Sequence, residues 1–238
     1  MMKLLDPTVR AAYQELASPE MDILDGHAVW FHAHFHRNLQ RTDYPSHLAF
    51  DAAVCLNMSL VRAAYLINGF VQAVNDRNAP LAILTSRAHR ETTGTVATGV
   101  IQLLRLREKA QNVGDTVTAF RRLTHGSKLK YDDGAPEWQP FNVLTLIDNV
   151  EKLAARLGLA NAAGFREQYD LQSEYCHPNS PGLAVGLRSE RPFEGTFAYP
   201  AFDGPLEVAQ ILAIGSSEAL LRRFAEELLL LIEEEGAM

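Results

Sequence analysis

Cysteine is almost missing from this chain: Cys55 and Cys176 are the only two in 238 residues. Neither has a partner at metal or redox spacing, and both sit in stretches dense in apolar residues. A disulfide framework is therefore excluded, and reduced thiols are expected. Cations are scarce as well. With 22 Lys and Arg against 29 Asp and Glu, the formal charge is −7. Nucleic acid held over a broad surface is not expected, because that mode neutralises many phosphates. No stretch approaches the roughly 18 consecutive apolar residues of a membrane span. Asp6 and Pro7 interrupt the start too early for a signal-like apolar region. No linker rich in Pro, Gly or Ser divides the chain. These absences predict one domain over residues 1–238, cytoplasmic and without membrane contact.

What is present is hydrophobic content of 47%, enough for a full core, arranged mostly at helical period. Helices are expected at Pro7 to Ala17, Met21 to about Gln40, Ser46 to Val74, Leu81 to Glu108, Val113 to His125, Asn142 to Leu157, from Asn161 to His177, and at Leu206 to about Glu235. The helix after Ser46 is apolar on most sides, which marks a central one. Small residues at Gly94, Thr95, Ala97, Thr98 and Gly99 allow another backbone to approach the following helix, at about 1 kcal/mol of propensity per glycine. The fold class is all-α, a mostly antiparallel bundle of about seven or eight helices. Two short β-like runs near 183–199 can pair as a small hairpin.

Two polar stripes stand out against this background. Tyr169, Ser173 and His177 recur at i, i+4, i+8 before Pro178 and Asn179, and Arg87 and Glu91 share a face at i, i+4. Near a helix C-terminus the dipole favours the His177 imidazolium by roughly 0.3 to 1 kcal/mol, so it can exchange a proton near neutral pH. If both helices are central, a guanidinium and a carboxylate leave water only with further hydrogen bonds, which Tyr169, Ser173 and His177 can supply. The blander reading has Ser173 bonding back to the carbonyl of Tyr169, His177 and Asn179 closing the helix end, and Arg87, Arg90 and Glu91 meeting water.

Other motifs carry less. A serine four residues from its base in mid-helix lacks the strained turn of a catalytic nucleophile. His32 and His36 have the spacing of a helical zinc pair, and His27 and His34 lie close by. No carboxylate lies between Asp25 and Asp43, so packing among Trp30, Phe31 and Phe35 is preferred and no metal is expected. Glu174-x-x-His177 is half of a di-iron motif that needs two copies. Arg121, Arg122, His125, Lys128 and Lys130 form the one concentrated basic run, read as a solvated helix end able to grip a phosphate.

Arg87-x-x-x-Glu91, Ala155-Arg156-Leu157-Gly158-Leu159 and Tyr169-x-x-x-Ser173-x-x-x-His177-Pro178-Asn179, taken in order, resemble a family of helical prokaryotic proteins. In that family an R-x3-E helix precedes a Y-x2/3-S-x3-H helix. The resemblance covers residues 80 to 185 and extends distantly to the HEPN superfamily, whose helical bundles dimerise and include RNA-cutting toxins and phage-defence proteins. It implies an all-α fold, a homo-oligomer and a link to RNA. Catalytic HEPN proteins carry an Arg and a His four to six residues apart on one helix. Arg41 and His47 fit the count, but Pro45 interrupts them.

The expectation is a polar pocket formed by Arg87, Glu91, Tyr169, Ser173, His177 and Asn179, covered by the 126–140 loop. It would bind a small anionic or nucleotide-like group, with no cofactor. Two alternatives are an interaction protein in which the network is architectural within a homodimer, and a HEPN-type ribonuclease toxin.

Overall fold

In the computed structural model the described residues are 3–128, 138–178 and 207–235. They form an all-α bundle: α1 (Pro7–Asp25), α2 (His27–His34), α3 (His47–Asn75), α4 (Ala79–Arg107), α5 (Val113–His125), α6 (Val143–Arg156), α7 (Phe165–Cys176) and α8 (Val208–Glu235). Short 3-10 turns occupy Arg41–Asp43 and Ala160–Ala162. The hairpin expected near 183–199 falls outside the described residues.

Local chemistry accounts for most boundaries. Ser46, Asn78, Asn112 and Asn142 each accept a backbone N–H at a helix start, satisfying donors that have no intrahelical partner. Three expectations are corrected. The break expected after Ala17 is a kink, because α1 runs through Pro19 and bends at Ala17 (φ −143°, ψ 26°), relieving the clash that an interior proline imposes. The second helix does not reach Gln40: α1 stops at Gly26, and α2 ends at His34 with extended Phe35. At the other corrected boundary, α7 starts at Phe165 rather than beside Asn161, after Gly164 in the left-handed region (φ +74°).

Helices α3 and α4, 29 residues each, turn back on one another through Asp76, Arg77 and Asn78 and form the centre. Arg77 takes a positive φ in this turn. The other helices pack around them, with α6 and α7 against α4, α5 against both, and α8 against α1, α3 and α4. The approach of α6 requires Gly94, since a Cβ there would lie 2.7 Å from the Leu146 carbonyl oxygen. Asn149 on α6 also donates to Thr98 at 3.0 Å. Apolar side chains make one large cluster around Leu60, Val100, Phe120, Ile147 and Phe224. A smaller one joins α1, α3 and α8 through Met21, Phe70 and Ile214. By length and composition α3 could cross a membrane, yet half of its apolar window is buried against the bundle.

Candidate functional site

Helices α4 and α7 each carry polar residues one turn apart, and the bundle lays these stripes against each other. Arg87 Nε donates to Ser173 Oγ at 3.0 Å, and Arg87 Nη2 donates to the Tyr169 hydroxyl at 2.9 Å. The guanidinium also lies over the Tyr169 ring, 5.1 Å from its centroid. Tyr169 passes its own proton to Glu91 Oε1 at 3.1 Å, while Ser173 donates to the Tyr169 carbonyl at 2.9 Å. Burial first, and the Glu91 carboxylate second, raise the Tyr169 phenol above its ordinary value, so it stays protonated and can accept and donate at once. Glu91 is approached by two guanidiniums, Arg87 at 3.4 Å and Arg62 of α3 at 3.7 Å. The Arg87 and Glu91 side chains keep 29% and 24% of their exposure, so the site opens to water on one side.

His177 does not join this network among the described residues. Helix α7 ends at Cys176, and His177 is the extended C-cap (φ −87°, ψ 152°), exposed to solvent. Asn179 lies outside the described residues. The back-bond of Ser173 to Tyr169 does occur, together with the contact to Arg87 rather than in place of it. Of the 126–140 loop expected to cover the site, residues 126–128 and 138–140 are among the described ones. The described ends of the 126–140 loop meet where Ser127 N–H donates to the Trp138 carbonyl at 3.0 Å. Trp138 lies beside Arg121 and Asp51, the latter near the start of α3. Arg87 faces the opposite end of α3, where Gly69 packs on Thr85.

A second polar assembly, absent from the sequence reading, is sealed in the core. Glu218 of α8 has no exposure and binds His27 Nδ1 at 2.6 Å and His89 Nε2 at 3.0 Å. Arg222 Nε donates to the same carboxylate at 2.7 Å. His89 Nδ1 lies 3.0 Å from Ser217 Oγ, which lies 2.9 Å from the Thr93 hydroxyl. Burial holds the His89 imidazole below its ordinary value despite the pull of Glu218. A neutral ring then donates from Nε2 and accepts the Ser217 proton at Nδ1. Burial works against the Glu218 carboxylate, but hydrogen bonds from both histidines hold it well below the usual carboxylate range. The Ser217–His89–Glu218 order matches that of a hydrolase triad. All three side chains have no exposure, so the described surroundings leave no room for a substrate.

Arg90, which the blander reading placed in water, is instead one of the largest fully buried side chains among the described residues. It donates to the Phe165 and Ala213 carbonyls at 3.4 and 3.1 Å and to Gln168, and it stacks on the Phe165 ring at 4.5 Å. Desolvation lowers its pKa to about 10, so it remains charged at neutral pH.

The remaining motifs resolve individually. The chain leaves helix at Phe35, which removes the shared face of His32 and His36, and both are exposed. No metal-holding group of three His, Cys, Asp or Glu occurs among the described residues. Trp30 stacks on His34 and Phe31 on Phe35, at 4.4 and 4.8 Å. Arg41 and His47 occupy a 3-10 turn and the start of α3, as Pro45 requires, but Arg41 Nε donates to His47 Nδ1 at 3.0 Å. Arg122 is not simply solvated. It donates to the Gln139 carbonyl at 2.8 Å and stacks on Phe141. The Cys55 thiol is buried and pushed up to about 12 by desolvation; Cys176 is half-buried and raised for the same reason.

One residue signal pointed to the hidden assembly. Glu218 lies four residues after Ile214 and three before Leu221, a carboxylate inside the apolar stripe of its helix. Such a group folds inward only with partners. The chain matches no protein-family model, no curated protein and no solved structure.

Proposed function

We propose that the half-open site of Arg87, Glu91, Tyr169 and Ser173 binds a small anionic or nucleotide-like group. The observation that carries this reading is the state of Arg87. Its Nε and Nη2 are fixed by two hydroxyls of α7, while Nη1 has no hydrogen bond among the described residues. A guanidinium so held loses little freedom when it meets an anion. Arg62, 57% exposed, adds a second cation beside Glu91. Tyr65, one turn further along α3, offers a ring that is 75% exposed for a base to stack upon. His177, the exposed C-cap of α7, and Asn179, two positions later in sequence, belong to the proposed set.

Calorimetric titration with adenosine monophosphate, and separately with a short RNA, tests it. Arg87→Ala should weaken binding by roughly tenfold or more, the worth of a charge-assisted contact, and His177→Ala should weaken it less. Affinities unchanged in both variants would remove the site from the function.

A second reading, in which the network is architectural within a homodimer, is favoured by its closure: the Ser173 and Tyr169 hydroxyls each donate and accept inside it. It predicts a lower melting temperature for Arg87→Ala with no effect on any ligand. The ribonuclease reading predicts growth arrest on expression that replacing His177 relieves.

A further inference from the structure

A cleft of about 220 Å³ opens at the other end of the bundle, between the start of α3 and the end of α5. Asp51, Val54, Arg121, Thr124, His125 and Trp138 line it. Its charges are arranged in an unusual way. Asp51 Oδ2 is a buried carboxylate oxygen with no hydrogen-bond partner among the described residues. Arg121, the nearest cation, has its Nε at 3.8 Å, beyond hydrogen-bond reach. Its guanidinium lies 5.7 Å from the Trp138 ring centroid, and its side chain is 49% exposed, so its ion pair with the acid is loose and made along the aromatic wall. The Thr124 proton is spent on the Phe120 carbonyl at 3.0 Å, which leaves its oxygen free to accept. His125, also lining the cleft, is exposed.

Each feature constrains an occupant. The Asp51 side chain is 25% exposed, so an incoming N–H donor can reach its carboxylate, and a charged one satisfies it best. The indole beside it already lies under the Arg121 guanidinium, and an ammonium group that draws Arg121 off the ring suits that face equally well. A simple cation would still meet Arg121, and a simple anion would still meet Asp51, so either alone leaves an opposing charge in the cleft. We infer that the cleft between α3 and α5 binds a small zwitterion, its amine on Asp51 against Trp138 and its carboxylate or phosphate on Arg121 and His125. Trp138 is held for this role by its carbonyl contact to Ser127 and by Arg122, which ties down the neighbouring Gln139 carbonyl. The site is separate from that of Arg87 and uses none of its residues.

The test is titration of the full chain with β-alanine and with O-phosphoethanolamine, read by indole fluorescence and by calorimetry. Ethylamine and inorganic phosphate are the single-charge controls. Both zwitterions, or one of them, should bind at least roughly tenfold tighter than either control, and Asp51→Asn should erase that advantage. If Asp51→Asn proves unfolded by circular dichroism, Arg121→Gln, at a half-exposed position, serves instead and should reduce zwitterion affinity towards that of ethylamine. Zwitterion binding no tighter than phosphate or ethylamine, or unchanged in a folded variant, would overturn the proposal.

Discussion

At the scale of single residues, Glu218 governs the interior. Two imidazoles and a guanidinium converge on its carboxylate, so removing it strands two buried rings, while Arg222, 19% exposed, keeps its bond to the Ile23 carbonyl. Glu218→Ala should cost about 3–5 kcal/mol, the usual loss on breaking a buried charged pair, read as a shifted urea midpoint at unchanged slope. Acid tests the same group. The folded His89 value lies below its ordinary 6.5, so its contribution is complete above that pH and is lost as pH falls and the unfolded chain takes up protons. The Glu218 value lies below its ordinary 4.5, so a second loss follows below that point. A stability profile falling in these two stages is expected, with the upper stage absent in His89→Gln. A profile flat from neutral pH down to pH 4.5 would contradict the assignment. Arg90 gives the complementary case. Arg90→Ala should destabilise by about 3–5 kcal/mol. Arg90→Met, which fills the space without a charge to desolvate, should recover most of that.

At the scale of elements, two glycines predict opposite causes for similar losses. Gly94→Ala drives a methyl into the backbone of α6 at Leu146, and should cost about 1–3 kcal/mol through overpacking. Gly158→Ala meets nothing within 4 Å but must hold φ +70°, and should cost about 1–2 kcal/mol through backbone strain alone. Thermal melts of the two variants check both; an unaffected Gly94→Ala would mean that α6 can move away freely. Helix starts were legible in sequence because a cap is local chemistry: Ser46 and Asn142 act on N–H groups two or three residues ahead. The α1 kink was not, because Pro19 signals a disruption without saying whether the chain stops or bends. The Arg87–Glu91 and Tyr169–Ser173 pairs were legible for the same local reason. Their meeting followed only from both helices being central.

At the scale of the whole molecule, the two polar assemblies differ in what they join. The Arg87 network couples α4 to α7, whereas Glu218 couples α2, α4 and α8, with contacts reaching back 129 and 191 residues along the chain. No spacing rule reaches across such intervals, which explains why His27 was weighed only with its neighbouring histidines and why one reading left Arg90 in water. Hydrogen exchange should display the connection. Glu218→Gln is expected to speed exchange of α2 amides while leaving α6 and α7 protected. Uniform acceleration would point to loss of the whole fold instead.

The contrast between the two thiols has a practical outcome. Cys55 is inside the bundle with its proton held up to about 12, so a maleimide reagent at neutral pH should modify Cys176 alone. That position follows Ser173 on the same helix, one turn nearer its end. A fluorophore attached there would report occupancy at the Arg87 site while every side chain of α4 stays native.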